Sequence, residues 1–259
     1  MSLGFGFGLQ YSKLSGGGSA FDSAYQAVLD FATSEGITLP STSQQELQNQ
    51  VVLSLKDKGL WNKKDAFGLF ATDGNVDFAL ICWKRLIKMD AINSPSFSAN
   101  AGFKGNGTSS YIDTRFKPLA DGVNYTRDDA GISVNCSGTE NNYILGNSST
   151  ANGNQRIRIG NDKDTMINGS LVNSGINLSG GNLHLDRISS TQVISQANTN
   201  IGSVITNNST SLQNNEIWLL RISTIEANAN IKAFSARSSF TEQEKNDYDT
   251  IINTYLAAL

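Results

Sequence analysis

The hydrophobic rhythm of the chain changes three times. In the first twenty residues, Phe5, Phe7, Leu9 and Tyr11 fall at every second position among glycines. That is the period of an extended segment with one apolar face. Ser15-Gly16-Gly17-Gly18-Ser19 follows with the composition of a flexible hinge. Two readings stand for residues 1–20: an arm that docks onto another subunit, or a terminus without fixed structure. From Asp22 the period lengthens to that of a helix. Tyr25, Val28, Leu29 and Ala32 share one face, and Gly36 is placed to end the element. Leu39-Pro40 turns the chain. Ser43 and Glu46 have the spacing of a capping box in front of the stripe Leu47, Val51, Val52 and Leu55, which Gly59 closes. Asp65 to Ala71 fits a strand or a short helix. Val76 to Ile87 predicts a helix with Trp83 buried. Residues 21–92 thus read as a helical region behind the arm.

From residue 93 onward the pattern is one of short apolar runs between turn signals. Asn-Gly or Gly-Asn pairs at 106–107, 152–153, 168–169 and 181–182 tolerate the positive φ of tight hairpins. The runs predict strands at Tyr111–Phe116, Gly131–Val134, Tyr143–Leu145, Arg156–Ile159, Met166–Ile167, Asn182–Arg187, Thr191–Ile194, Ile217–Ile222 and Ile231–Ala236. Arg156 to Ile159 and Leu183 to Arg187 alternate, predicting one buried face and one wet face. Thr241, followed by Glu242 and Glu244, caps a last helix with the stripe Tyr248, Ile251, Ile252 and Tyr255. The fold class is mainly β: an antiparallel β-sandwich over residues 93–259, closed by a C-terminal helix.

Composition narrows the function classes. Of 259 residues, 39% are hydrophobic and only 17% charged, and the 12 Phe, 7 Tyr and 3 Trp can fill a core, which excludes a disordered chain. The net charge of −3 comes without a basic patch beyond Lys84-Arg85 and Lys88, which argues against nucleic-acid binding. No run reaches the ~20 apolar residues of a membrane helix, and Met1 to Leu9 lacks the basic start of a signal peptide. Cys82 and Cys136 lack metal-ligand spacing and read as buried thiols, with a disulfide as the alternative. With one His, no metal or cofactor site is expected.

Four stretches resemble known families. Phe97 through Thr114, with Gly102-Phe103-Lys104-Gly105-Asn106-Gly107 leading to Tyr111-Ile112-Asp113, resembles the opening strand pair of concanavalin A/laminin-G-like sandwiches, a jelly-roll architecture. Asp65-Ala66-Phe67-Gly68-Leu69-Phe70-Ala71 and Ala79-Leu80-Ile81-Cys82-Trp83-Lys84 resemble the N-terminal region of tailed-phage virion structural proteins, as does the Ser-rich run from Ser238 into the final helix. The resemblance implies a bacteriophage virion component: a head fibre, decoration, spike or tail protein. It further implies partners among other virion proteins through the N-terminal region and a homo-oligomer, a trimer by analogy. It assigns no catalytic residue.

The residues themselves offer little catalytic chemistry. The single His, His184, sits in an alternating strand and reads as solvent-facing or hydrogen-bonded, and no Gly-x-Ser-x-Gly elbow accompanies it. Glu140 and Glu216 stand alone, Asp128-Asp129 reads as a turn, and no strand presents paired acids for glycoside hydrolysis. Neither Gly4–Gly8 nor Gly102–Gly107 has the context of a phosphate loop. Asn161-Asp162-Lys163-Asp164 reads as a turn rather than a calcium loop. Asn124, Tyr125, Asn141, Asn142 and Tyr143 are the candidate sugar-binding residues, combining amides with aromatic faces, and Trp218 reads as core. Phe5, Phe7, Leu9 and Tyr11 are the candidate virion anchor. The expectation is a non-enzymatic virion protein with an aliphatic and aromatic interior. The alternatives are a module binding a host surface glycan or, less favoured, a glycan hydrolase.

Overall fold

The computed structural model describes residues 21–138, 143–147, 153–158, 163–177 and 180–259. Five helices appear among them: α1 (Ser23–Ser34), α2 (Thr42–Asp57), α3 (Val76–Ala79), α4 (Pro118–Asp121) and α5 (Glu242–Ala257). Asp22 caps α1 by accepting from Ala24 N, and Thr241 with Glu244 forms a complete capping box on α5. For α2 the cap is Ser41, not Ser43: Ser41 Oγ accepts from Gln44 N at 3.3 Å, and Ser43 lies inside the first turn. Ser41, directly after Pro40, keeps an extended ψ of 156, so the cap falls two residues before the expected one.

The helix expected over Val76–Ile87 stops at Ala79. Ile81–Cys82 then pairs with Ile87–Lys88 as a short hairpin, with Leu86 turning at φ 49. A continuous apolar run does not set a period, and here Trp83 N donates to Phe67 O of a neighbouring strand. Trp83 is buried as expected.

Two antiparallel sheets carry the fold. The middle sheet has nine described strands. Its path runs Asn200–Ile201, Gln192–Ala197, Gly181–Ser189, Ala130–Ser137, Asn230–Arg237, Gly102–Lys104 and Ser96–Ser98, with Lys64–Leu69 added on Asn230–Arg237 and Ile205–Thr206 on Gln192–Ala197. The outer sheet has seven: Val172–Asn173, Asp164–Ile167, Gln155–Arg158, Tyr143–Asn147, Ile217–Leu219, Tyr111–Asp113 and Asp90–Ile92. The stretch 21–92 is therefore helical only in part, since Lys64–Leu69 joins one sheet and Asp90–Ile92 the other. The run Ile217–Ile222 breaks at Leu220, φ 67, and Arg221–Ile222 pairs with Ile225–Glu226 in a hairpin laid over Gly146. A Cβ at 146 would stand 2.5 Å from Ile222 Cβ, so only glycine lets the hairpin lie there.

The middle sheet is covered on both faces. Ile132, Val134, Leu183, Leu185, Phe234 and Ala236 meet Ile112, Leu145, Ile157, Ile217 and Leu219 of the outer sheet. The other face, with Phe67, Leu69 and Ala233, packs against Tyr25, Val28, Val52 and Leu55 of α1 and α2 and against Tyr248, Ile252 and Tyr255 of α5. This second layer corrects the expected wet face of Leu183–Arg187, because every residue from Asn182 to Arg187 is buried. It also corrects the expected apolar interior, since Lys64, Ser133, His184, Asp186, Arg187 and Arg237 are all buried.

Candidate functional site

The polar residues under α5 form one connected cluster. Strand alternation turns Asn182, His184 and Asp186 toward the helix and Leu183 and Leu185 toward the outer sheet. His184 Nδ1 lies 2.8 Å from Ser133 Oγ, and Nε2 lies 2.7 Å from Asp249 Oδ1 of α5. Ser133 Oγ accepts from Arg237 Nε at 3.2 Å and Nη2 at 2.9 Å, which leaves its own proton for His184 Nδ1 and assigns the imidazole proton to Nε2, facing Asp249. Burial holds the imidazole below its ordinary value against the pull of Asp249. Arg237 Nη1 pairs with Asp186 Oδ1 at 2.5 Å, and Asp186 also accepts from Phe240 N and faces Lys245 Nζ at 3.5 Å. Burial opposes charge on Asp186, yet Arg237 and Lys245 keep its carboxyl below the ordinary value.

A hydroxyl, an imidazole and a carboxylate in a chain are what nucleophilic catalysis needs. Here the chain is sealed. Ser133 is 0% exposed and His184 1% exposed, and the serine oxygen is turned into the Arg237 guanidinium. His184 is hydrogen-bonded, one of its two expected states, and is not solvent-facing.

The outer face of the seven-stranded sheet is built differently. Ile112, Leu145, Ile157 and Leu219 lie in one register row and fill the core, so Tyr111, Asp113, Trp218, Arg156 and Arg158 project the other way. Trp218 is half-buried on this face rather than in the core, because Ile217 and Leu219 take the inward positions. The Tyr111 and Trp218 rings lie 5.0 Å apart. The Arg221 guanidinium stacks over both, at 4.4 Å and 5.1 Å, with Nε donating to Ser223 O at 2.6 Å and ion-paired with Glu226 at 3.5 Å. Farther along, the guanidiniums of Arg156 and Arg158 lie 4.5 Å and 5.0 Å from the Tyr143 ring centre, and Asp164 pairs with both at 3.0 Å and 3.6 Å. Burial, with Glu216 and Asp90 nearby, pushes the Asp113 carboxyl up. Flat rings beside neutralised arginines and a carboxylate can stack on an apolar ligand face and hydrogen-bond its polar edge.

The sugar-binding residues expected from the sequence are not brought together. Asn124 gives its backbone N–H and its Nδ2 to the Asp65 carboxylate, which also accepts from Val123 N and Tyr125 N. Tyr125 is 1% exposed, packs on Phe116 and donates to Asn168 Oδ1 at 3.1 Å, so it offers no ring to a ligand. Asn141 and Asn142 lie outside the described residues, as do Phe5, Phe7, Leu9, Tyr11, Asn161, Asp162 and Glu140. Tyr143 belongs to the outer face, though its ring is largely covered by its arginines. Asp128 pairs with Arg127, Asp129 accepts from Ser239 N, and Glu216 pairs with Lys117 at 3.1 Å. Cys82 and Cys136 are buried free thiols, and burial pushes Cys136 up to about 12. The expectation missed Tyr111, Arg221 and the Arg156–Arg158 pair. The strict alternation of Ile217-Trp218-Leu219 and Arg156-Ile157-Arg158 was the available signal.

No protein-family model matches the chain, and no curated protein does. Among solved structures, the receptor binding domain of a botulinum neurotoxin C/D mosaic serotype is similar over 74% of this chain and 51% of its own, with 8% identity and a TM-score of 0.49. A botulinum neurotoxin serotype D binding domain is similar over 73% and 52%, with 9% identity and a TM-score of 0.47. A Trypanosoma rangeli sialidase is similar over 83% and 40%, with 9% identity and a TM-score of 0.49. The chain spans about half the length of the toxin domains and two fifths of the sialidase. Likeness this distant carries no function across.

Proposed function

We propose that the chain is a non-catalytic binding module that holds a carbohydrate ligand on the outer face of its seven-stranded sheet. The observation that carries this reading is the Tyr111–Trp218 pair under Arg221, set beside Asp113 on the sheet face that the helices leave open. Ring faces take the C–H side of a sugar, while the guanidinium donates to its hydroxyl oxygens and the carboxylate accepts from its hydroxyls. The sealed position of Ser133 and His184 supports binding without turnover.

Trp61 and Trp83 are 5% and 2% exposed, so ligand-dependent change in tryptophan emission reads Trp218. Titration with an oligosaccharide panel is expected to shift that emission for at least one glycan. Tyr111→Ala, followed by the same emission, and Trp218→Ala, followed by calorimetry because it removes the reporter, are expected to abolish glycan binding while the far-UV spectrum stays intact. A panel without response, or unchanged binding in both variants, overturns the reading.

A second reading, a structural virion protein anchored through residues 1–20 and assembled as a homo-oligomer, rests on the motif resemblance and on the alternation of Phe5, Phe7, Leu9 and Tyr11. Its residues have packing roles here, Asp65 in tying down residues 123–125 and Lys84 in donating to Trp61 O. Deleting residues 1–20 is expected to abolish retention on particles and leave the folded unit intact. Retention without them refutes it. The two readings are compatible.

A further inference from the structure

We propose that α5 is an acid-released latch: protonating His184 undocks Glu242–Ala257 from the middle sheet while the sandwich beneath stays folded. This goes beyond ligand binding on the opposite face and concerns a separate device.

The argument starts from where the charges sit. Every element packed around His184 brings a polar or charged group to it. Asp249 and Lys245 come from α5, with the Tyr248 ring edge-on at 5.6 Å. Arg237 comes from the last strand, with Nη2 at 3.3 Å from Nδ1, and Ser133 from the strand beside it. Asp186 lies on its own strand, two residues away and on the same face, and Gln196 pairs opposite in register. Lys64 stands close by, 4.3 Å from the Tyr248 ring. Two cations, Arg237 and Lys245, balance two anions, Asp186 and Asp249, as long as the imidazole is neutral. Lys64 lies outside this pairing, donating to Ser235 Oγ at 3.1 Å, and burial, then Arg237, holds its amine well below the ordinary lysine value.

A proton added at Nδ1 breaks that balance. It reverses the bond from Ser133, whose oxygen already serves two N–H groups of Arg237, and it places a cation 3.3 Å from the Arg237 guanidinium. The gain against Asp249 opposes this, but burial works against the charged ring and holds the imidazole below its ordinary value. Because protonation is disfavoured in the closed state, docking is strongest above the ordinary imidazole value of 6.5 and weakens as the pH falls from there toward the depressed closed-state value. The cluster lies between α5 and the sheet. The far side of that sheet packs Ile132, Val134, Leu183 and Leu185 onto the outer sheet, so acid acts first on the helix contact.

His184 is the only histidine of the chain, so a ¹³C-histidine label gives a single ring signal that reads its protonation directly. The experiment follows that signal and amide exchange across the full chain between about pH 7.5 and pH 4.5. We expect ring protonation to coincide with at least a roughly tenfold loss of protection over residues 242–257, measured against the intrinsic exchange rate at each pH, with no loss over Ala130–Ser137. His184→Gln, which keeps a hydrogen-bonding side chain without titrating, is expected to hold α5 protection flat over the same range. Three results overturn the proposal: a protonated ring with α5 still protected, no opening of α5 in that range, or simultaneous loss of protection in α5 and Ala130–Ser137. Should the variant not fold, the coincidence in the unmodified chain still decides.

Discussion

Replacing Gly131 with alanine drives one methyl into the buried ion pair. A Cβ at 131 would land inside the contact radius of Arg237 Nη1 and 2.6 Å from Asp186 Oδ1. Gly131 does not occupy the left-handed backbone region, so alanine brings no backbone strain and the cost falls on its neighbours. Two responses are open. Arg237 can withdraw, leaving Asp186 short of its main partner at a cost of about 3–5 kcal/mol. Alternatively the strands can part by a few tenths of an ångström, an overpacking cost of about 1–3 kcal/mol. The cheaper response wins, and because the methyl meets both Arg237 and Asp186 its cost falls at the top of that range, about 3 kcal/mol. For a chain of this size that lowers the melting temperature by roughly 6–12 °C. Gly36→Ala is the control: φ is +67, nothing lies within 4 Å of the new Cβ, and the expected cost is only about 1 kcal/mol of backbone strain. Urea unfolding of both variants measures the difference. A Gly131→Ala variant no less stable than Gly36→Ala refutes the close packing of the pair.

Three further outcomes test the same interior. Lys64→Met replaces an amine enclosed by Phe67, Phe240 and Tyr248 with an apolar chain of similar length, and is expected to leave stability unchanged or raise it by up to about 1 kcal/mol in urea unfolding. The unmodified protein gains stability as the pH rises toward the ordinary lysine value of 10.5, because its closed-state amine is depressed, and that slope should flatten in the variant. Asp65→Ala removes the acceptor of three backbone N–H groups at residues 123–125, with an expected cost of about 2–3 kcal/mol by thermal unfolding and loosened exchange in that turn. Thr241→Ala removes the α5 cap and should cost about 1 kcal/mol, read as fraying of residues 242–245 in amide exchange.

Local signals were legible where one short stretch decides its own structure. Gly36 and Gly59 end α1 and α2 at φ +67 and +69, and Thr241 caps α5, because caps depend on neighbours within four residues. The longer strands were placed for the same reason, whereas two- and three-residue strands such as Asp90–Ile92, Asn200–Ile201 and Ile205–Thr206 were not. What failed depends on chain far away. The second face of Leu183–Arg187 is covered by a helix some 60 residues later, so its polar residues read as wet. Ser133, His184 and Asp249 carry no shared motif and meet only through register. Tyr125 looked like a surface tyrosine, since Asp65, which pulls its turn inward, lies 60 residues upstream. Trp218 was misread by residue type alone, although its own alternation pointed outward.

The position of Lys64–Leu69 beside Asn230–Arg237 governs how the molecule can be made. Asn230–Arg237 also pairs with Gly102–Lys104 and Ala130–Ser137, so the last of the described strands in chain order is the one that unites the sheet. Until it emerges, the earlier strands wait with bare edges, open to pairing with other nascent chains. A slow closing step over the long stretch between Lys64–Leu69 and Asn230–Arg237 follows directly from that topology.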